Sequence, residues 1–350
     1  MRYTALGNSN LKVSRVCLGT MTWGVQNDQQ DAIEQLDYAV EAGVNFIDTA
    51  EMYAVPPSAD TYGKTETYIG NWLAANESKR DELIIASKIA GINVPWIRGG
   101  GPVTGEAVER AVEGSLKRLQ TDYLDLYQIH WPNHAQVAMG RHWPNMVKFS
   151  EDNTAAAIDG MHDILSGLAK CITAGKIRYA GVSNDSPWGV AKYLQLAREH
   201  KLPRITSVQN EFSLLHTKDV PYMLEVCVRE NIAYLPWSPL AGGILSGKYL
   251  DGARPAGSRW TYDQRMGLFR DVDTVHNATA AYKKIAEKHG CTAAQLALLW
   301  CDNVDGVTST IIGATSMENL REDIAAFELP FTDELSKEMA DTLKQHGLPF

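Results

Sequence analysis

Four polar side chains lie at or just after the ends of short apolar runs. They are Asp48 in NFID, Tyr53 five residues later, Lys88 in IIASK and His130 in LYQIHW. An ammonium group at the end of a buried run needs a negative partner, because an isolated buried charge is costly. Asp48 is the natural partner of Lys88, so the spacing predicts a site built on a carboxylate, an ammonium, a phenol and an imidazole.

These residue types form an acid site for a carbonyl substrate. A free tyrosine titrates at about pH 10 and donates its proton poorly at neutrality. We expect the Lys88 ammonium to lower the pKa of Tyr53, since a positive charge favours the phenolate. Asp48 would hold Lys88 charged, and His130 would orient the carbonyl oxygen. The set would then protonate that oxygen while a hydride arrives at the carbon.

The elements that position these side chains alternate between strands and helices. Apolar or β-branched runs predict eight strands, at residues 15–18, 45–48, 83–88, 124–129, 179–183, 206–209, 233–237 and 310–313. Helical periodicity separates them. Nearly continuous apolarity is typical of parallel strands covered on both faces. Strand and helix repeated eight times predict an α/β fold of the (β/α)8 or TIM-barrel class. A doubly wound sheet would favour G-x-G-x-x-G after the first strand, where residues 19–24 are GTMTWG.

Three connections are too long to be simple turns. Residues 89–103, 130–158 and 238–275 follow the third, fourth and seventh predicted strands, so we expect them on the carboxyl-end rim, where barrel enzymes carry their chemistry. An N-terminal β-hairpin is predicted to turn at residues 7–9, and a last helix at 332–345, capped by Thr332. No linker or low-complexity segment interrupts the chain, which predicts one domain over residues 1–350.

The composition narrows the function classes. The 350 residues contain 33 Lys and Arg against 42 Asp and Glu, a net charge of −9, so we expect no nucleic-acid partner. No apolar run approaches the roughly 20 residues that span a bilayer, so no membrane partner is expected. The N-terminus lacks a signal-peptide pattern. Five widely spaced cysteines without C-x-x-C favour the cytoplasm.

Three motifs resemble the signatures of the aldo-keto reductases. They are residues 43–53 (GVNFIDTAEMY), 119–131 (LQTDYLDLYQIHW) and 311–316 (IIGATS). Residues 50–57 and 68–73 are most similar to the bacterial Tas-type branch, related to potassium-channel β subunits. The resemblance runs from Leu11 to about Pro330. It implies that Tyr53 is the general acid, that Lys88 and Asp48 tune it, and that His130 orients the substrate.

The same resemblance implies an extended NADP(H) across the barrel mouth and a small carbonyl substrate. Ser183, Asn184 and Gln209 would hold the carboxamide, and Trp237 would stack on the nicotinamide. Thr20 and Met21 would meet its ribose. The remaining cofactor positions follow the pyrophosphate or reach the adenosine end, and they are Ser238, Pro239, Leu240, Ala241, Lys248, Arg259, Gly313, Thr315, Asn319, Glu322 and Asp323.

Two positions depart from the family pattern. Asn319 stands where many members place an arginine against the 2′-phosphate, which weakens the expected preference for NADPH over NADH. Lys248, Arg259 or Arg321 could supply the missing charge. Asp323 replaces a common asparagine on the adenine side and could still accept a hydrogen bond from an exocyclic amine.

Other features leave the substrate open. Trp23 and Trp131 fall in predicted rim loops, so we expect them to line the substrate pocket. His130, His134 and His142 lack the placement and the carboxylate of a metal site, and no metal is expected. The alternatives to a reductase are a slow-turnover NADP-binding redox sensor or interaction subunit and a Schiff-base enzyme that uses Lys88. The sequence does not define the physiological substrate or the oligomeric state.

Overall fold

The computed structural model describes residues 1–138, 140–261 and 268–347. Its strands among these residues are β1 (Tyr3–Ala5), β2 (Lys12–Ser14), β3 (Val16–Gly19), β4 (Phe46–Asp48), β5 (Ile84–Ile89), β6 (Leu124–Ile129), β7 (Ile177–Ser183), β8 (Ile205–Glu211), β9 (Ala233–Trp237) and β10 (Thr310–Ile312). All eight predicted barrel strands are present, and their ends differ from the prediction by no more than two residues.

The eight strands β3 to β10 form one parallel sheet in the order β10-β3-β4-β5-β6-β7-β8-β9. The two ends of this sheet meet through a bridge between Tyr234 and Val307. The amide of Thr308 also donates a hydrogen bond to the Tyr234 carbonyl oxygen at 2.9 Å. The sheet therefore closes almost completely on itself, which confirms the predicted (β/α)8 barrel.

The predicted N-terminal hairpin is confirmed, since β1 and β2 pair antiparallel. Gly7 at its turn has a φ of +53°, and a Cβ there would lie 2.5 Å from the backbone oxygen of Thr206. Glycine alone accommodates both this left-handed conformation and this close approach. The tip of the hairpin thus lies directly against the barrel backbone.

Strand side chains alternate between the barrel interior and the layer beneath the helices. Cys17, Ala86 and Leu126 belong to one buried apolar cluster, together with Leu6 and Leu11 of the hairpin region. Their sequence neighbours pack with the helices in a second, larger cluster. Because successive residues of a strand point to opposite faces, the first cluster fills the barrel and the second surrounds it. The hairpin residues close the end of the barrel at which the strands begin.

The described helices flank the strands on the outside. They are α1 (Gln29–Glu41), α2 (Lys64–Ala75), α3 (Gly105–Leu119), α4 (Thr154–Thr173), α5 (Pro187–His200), α6 (Tyr222–Glu230), α7 (Asp273–Lys288), α8 (Ala293–Asp302), α9 (Met317–Ala325) and α10 (Asp333–His346). The predicted cap of the last helix is present, because the Thr332 side chain accepts a hydrogen bond from the Leu335 amide. Among the described residues, no helix is long and apolar enough to cross a membrane.

The three long connections follow β5, β6 and β9 at the carboxyl ends of the strands. The second and third are shorter than predicted, because α4 begins at Thr154 and α7 at Asp273. Asn153 ends the second connection early, since its side chain caps α4 by accepting from the Ala156 amide. Met139 and residues 262–267, which belong to these two connections, lie outside the described residues.

Candidate active site

The structure brings the four predicted catalytic residues together at the carboxyl ends of neighbouring strands. The Nζ atom of Lys88 donates to Oδ2 of Asp48 at 2.5 Å, to the Thr49 carbonyl oxygen at 2.8 Å and to the Tyr53 hydroxyl at 3.4 Å. Lys88 is 0% exposed and Tyr53 is 8% exposed. Parallel pairing of β4 with β5 makes Asp48 and Lys88 neighbours, although they are far apart in sequence.

His130 lies beside the phenol, just beyond the end of β6. The centroids of its ring and the Tyr53 ring are 5.5 Å apart, and the ring planes are inclined by 78°. Its Nδ1 atom is buried and has no hydrogen-bond partner among the described residues. A buried polar atom without a partner is costly, which is typical of a position that a ligand completes.

Burial and the Lys88 ammonium shift the pKa of Tyr53 in opposite directions. Burial raises the pKa of Tyr53; the Lys88 ammonium lowers it and the Asp48 carboxylate raises it, and the net change is upward. Lys88 thus lowers the pKa of Tyr53 as expected, but in the free protein the loss of hydration outweighs this charge. The phenol is protonated at neutral pH.

Lys88 and His130 respond differently to the same burial. Burial alone would lower the pKa of Lys88, but the Asp48 carboxylate and the Tyr53 oxygen raise it above its ordinary value. Burial and then the Lys88 charge hold the pKa of His130 well below 6.5. The lysine is therefore an ammonium, while the histidine is a neutral imidazole that can donate one hydrogen bond.

Asp48 is held by amides as well as by Lys88. The Gln209 side-chain amide donates to its Oδ1 at 2.8 Å, and that of Gln128 does so at 3.3 Å. The Thr20 hydroxyl donates to the Asp48 backbone oxygen at 2.9 Å. Sequence reasoning missed Gln128. Its signal was a polar residue in an apolar strand, two positions before His130.

Several predicted nicotinamide-binding residues form one polar cluster at the ends of β7, β8 and β9. The Ser183 hydroxyl donates to the Gln209 carbonyl oxygen at 2.7 Å. The Asn184 amide donates to the His130 carbonyl oxygen at 2.8 Å, and the indole of Trp237 donates to Asn184 Oδ1 at 3.2 Å. The amide nitrogen of Gln209 points to Asp48, so this side chain braces the catalytic carboxylate in the free protein.

The connection after β9 bends through left-handed residues. Ser238 has a φ of +59° and Ala241 a φ of +50°, and Gly242 and Gly243 follow with positive values. Within this turn, the Ala241 amide donates to the Ser238 carbonyl oxygen at 2.7 Å. Pro239 and Leu240 lie between these residues. This turn brings the backbone at Gly242 and Gly243 close to two cationic side chains.

Lys248 and Arg259 lie close to this glycine pair. A Cβ built on Gly243 would be 3.1 Å from Lys248 Nζ, and one on Gly242 would be 3.8 Å from Arg259 Cδ. Burial lowers the pKa of both, and the Arg259 charge lowers that of Lys248 further. Neither cation forms an ion pair with a described residue. The arrangement suits a bound anion such as a phosphate.

The predicted adenosine-side residues follow β10. Gly313 and Thr315 are exposed, and Asn319 and Glu322 are half-buried on α9. Burial, and then the Glu322 charge, raise the pKa of Asp323 to about 8, while Lys248 lowers it. The fold thus brings Asp323 within electrostatic range of the cation beside Gly243.

Of the remaining predicted cofactor and substrate contacts, two lie beside the catalytic residues and one does not. Met21 packs with Tyr53 in a small cluster beside the phenol. Trp131 lies next to His130, with ring centroids 5.0 Å apart, and its indole donates to the Ile92 carbonyl oxygen at 3.1 Å. Trp23 does not fit the predicted substrate contact, because it is 0% exposed and donates to Gln35 inside the core.

The fold and this site define the class of protein. The aldo/keto reductase family model matches residues 15–344, and the chain belongs to that family. It is therefore an NAD(P)H-dependent oxidoreductase.

Individual relatives support the same class. The chain is 44% identical to "Protein tas" of Escherichia coli over 342 residues, covering 97% of this chain and 96% of that protein. It is 30% identical to "Uncharacterized oxidoreductase YrpG" of Bacillus subtilis over 350 residues, covering 99% and 97% of the two chains. An "Aldo-keto reductase" of Babesia bovis is 34% identical over 273 residues, which cover 74% of this chain and 94% of the relative.

Proposed function

We propose that the protein reduces an aldehyde or ketone to an alcohol with NADPH, and that Tyr53 delivers the proton. The observation that carries this proposal is the chain of contacts from Asp48 through Lys88 to the Tyr53 hydroxyl. It places an ammonium 3.4 Å from the oxygen that would lose its proton. A positive charge there stabilises the phenolate that forms as the carbonyl oxygen is protonated.

Each residue has a separate task in this reaction. Tyr53 is protonated in the free protein, so the proton is present before substrate binds. His130 is neutral and would donate to the carbonyl oxygen, holding it beside the phenol. Asp48 keeps Lys88 charged at the bottom of the site. The same charge makes Lys88 a poor nucleophile, which counts against Schiff-base chemistry.

The residues present suit a dinucleotide. A bound NADPH would supply the hydride from nicotinamide C4. The side chains of Ser183 and Asn184 offer polar groups for a carboxamide, and the half-buried Trp237 offers an aromatic face for its ring. Lys248 and Arg259 would bind phosphate, including a 2′-phosphate, in place of the charge that Asn319 lacks. This charge favours NADPH over NADH.

The decisive experiment measures cofactor oxidation with a panel of small aldehydes and ketones. We expect turnover with NADPH, weaker turnover with NADH, and a kcat about 10²–10⁴-fold lower in Tyr53→Phe, with cofactor affinity retained. Near-full activity in that variant would overturn the acid assignment. Tight NADPH binding without any carbonyl reduction would support the redox sensor, and an adduct trapped by borohydride on Lys88 would support the Schiff-base enzyme.

The five cysteines are all unpaired, which suits a reducing compartment such as the cytoplasm.

A further inference from the structure

Glu51 is a buried carboxylate that the reaction does not use. It lies in the segment between β4 and Tyr53 and is 0% exposed. Its oxygens accept hydrogen bonds from the Ala90 amide at 2.7 Å and from the Tyr62 hydroxyl at 3.1 Å. Arg98 adds two more, at 2.6 and 2.9 Å. This one carboxylate therefore joins three separate parts of the chain.

Arg98 is the partner that fixes the first rim connection. Its guanidinium binds both oxygens of Glu51 and also donates to the Ala90 carbonyl oxygen at 3.0 Å. Such a two-point pair defines orientation as well as distance. The neighbouring Ile97 packs in an apolar cluster that Trp131 contacts. The guanidinium thus holds this connection, and the cluster that packs against Trp131, to the segment that carries Tyr53.

Glu51 also ties the Tyr53 segment to the strand that carries Lys88, through its backbone amide as well as through its carboxylate. The Glu51 amide donates to the Lys88 carbonyl oxygen at 3.2 Å, and Ala90 follows Lys88 by two residues. The hydroxyl of Tyr53 is 3.4 Å from Lys88 Nζ, close to the outer limit of a hydrogen bond. A displacement of the Tyr53 segment by about half an ångström would break this contact.

We propose that Glu51 and Arg98 are positioning residues that hold the Tyr53 hydroxyl against Lys88 and, at the same time, hold the rim connection at residues 90–103 in place. This inference rests on the proposed function, because it assigns the pair to the proton-transfer step. A positioning role differs from that of a purely structural ion pair, because the loss of a structural pair lowers stability and leaves kcat unchanged.

The chain offers a matched control in Glu66 and Arg118. Glu66 is also 0% exposed, and Arg118 donates to it at 2.6 Å. The exposed fractions of the two arginine side chains are similar, at 23% for Arg98 and 19% for Arg118. Arg118 reaches α2 from α3 and lies over the Tyr62 ring, 5.0 Å from its centroid. Its hydrogen bonds among the described residues go to Glu66 and Ser115, and none goes to Glu51 or to residues 49–55. Its replacement should therefore destabilise the protein without moving the phenol.

The experiment compares Arg98→Met and Arg98→Lys with Arg118→Met. We expect Arg98→Met to lower kcat by roughly 10- to 100-fold, since a misplaced catalytic group costs this much, with KM changed much less. Arg98→Lys keeps the charge but loses the two-point contact, so it should fold normally and lose kcat about 3- to 10-fold. Arg118→Met should keep kcat within about twofold. Equal losses of kcat in Arg98→Met and Arg118→Met, or none in Arg98→Met, would overturn the proposal.

Hydrogen–deuterium exchange provides a readout that needs no turnover. In Arg98→Met and Arg98→Lys, amides at residues 49–55 and 90–103 should exchange faster together, whereas Arg118→Met should leave both segments unchanged. Faster exchange at 90–103 alone would show that the pair does not hold the Tyr53 segment. If the unaltered protein reduces no carbonyl, the proposed function fails, and this exchange result still decides whether the two segments are coupled.

Discussion

Replacing Lys88 by methionine tests the electrostatic core of the reaction. The ammonium is buried and lies 2.5 Å from Asp48 and 3.4 Å from the Tyr53 oxygen. Methionine keeps the length and apolar stem of the side chain but removes the charge. The variant should therefore leave the barrel interior filled while it deprives the developing phenolate of its counter-charge.

The expected loss follows from the distance. Two unit charges 3.4 Å apart interact by about 5 kcal/mol at an effective dielectric constant of about 20. Only part of a full charge develops on the phenol in the transition state, so we expect a barrier increase of about 3–4 kcal/mol. This corresponds to a kcat lower by roughly 10²- to 10³-fold. Separately, the unpaired Asp48 should cost about 3–5 kcal/mol of stability.

Steady-state NADPH oxidation and thermal unfolding check the two effects. Asp48→Asn/Lys88→Met removes both charges. This double variant should recover much of the stability that Lys88→Met loses, but its kcat should stay as low. NADPH affinity, measured by fluorescence quenching, should change little in either. A folded Lys88→Met protein with kcat within about threefold of the unaltered enzyme would refute the role of the ammonium.

Three other substitutions follow from the site. Trp237→Ala should weaken NADPH binding, because it removes an aromatic face and the hydrogen bond to Asn184; fluorescence titration measures this. Gly91→Ala should displace Trp131, since a Cβ there would lie 2.2 Å from the indole nitrogen. We expect KM to rise more for branched than for small aldehydes, and stability to fall by roughly 1–3 kcal/mol. Burial raises the pKa of Asp323 to about 8. The folded chain therefore holds a proton that the unfolded chain releases at about pH 4. Stability should fall as pH rises from 4 to 8, and less so in Asp323→Asn, as measured by unfolding at several pH values.

Each of these expectations has a contradicting result. Unchanged quenching by NADPH would exclude stacking on Trp237. Equal KM changes for small and branched aldehydes would show that Trp131 does not shape the pocket. An unaltered pH dependence of stability in Asp323→Asn would mean that this carboxyl is already ionised at neutral pH in the folded protein.

The barrel was predictable because its strands are buried on both faces. A run such as residues 124–129 is apolar at most positions, and it forms β6 with the predicted ends. The contact between Asp48 and Lys88 was also predictable, since parallel strands align their carboxyl ends. Helix starts were less certain, because a single capping side chain such as Asn153 decides them.

Contacts between rim segments were beyond the sequence. Trp23 follows a strand and was expected at the mouth, yet it turns inward to Gln35, and no local pattern indicates that direction. The pairing of Glu51 with Arg98 joins residues from different connections, whose paths only the folded chain defines. The pKa of Tyr53 depends on how much water reaches it, which is a property of the whole site.

The hairpin that closes the far end of the barrel limits the routes by which a proton could return to Tyr53 in the proposed reaction. Leu6 and Leu11 join an apolar column that fills the space beneath Asp48 and Lys88. The described residues of that column are hydrophobic, so in the proposed reaction we expect the proton that Tyr53 gives up to be replaced from the open end. Reprotonation and product release would then both use the carboxyl end of the barrel.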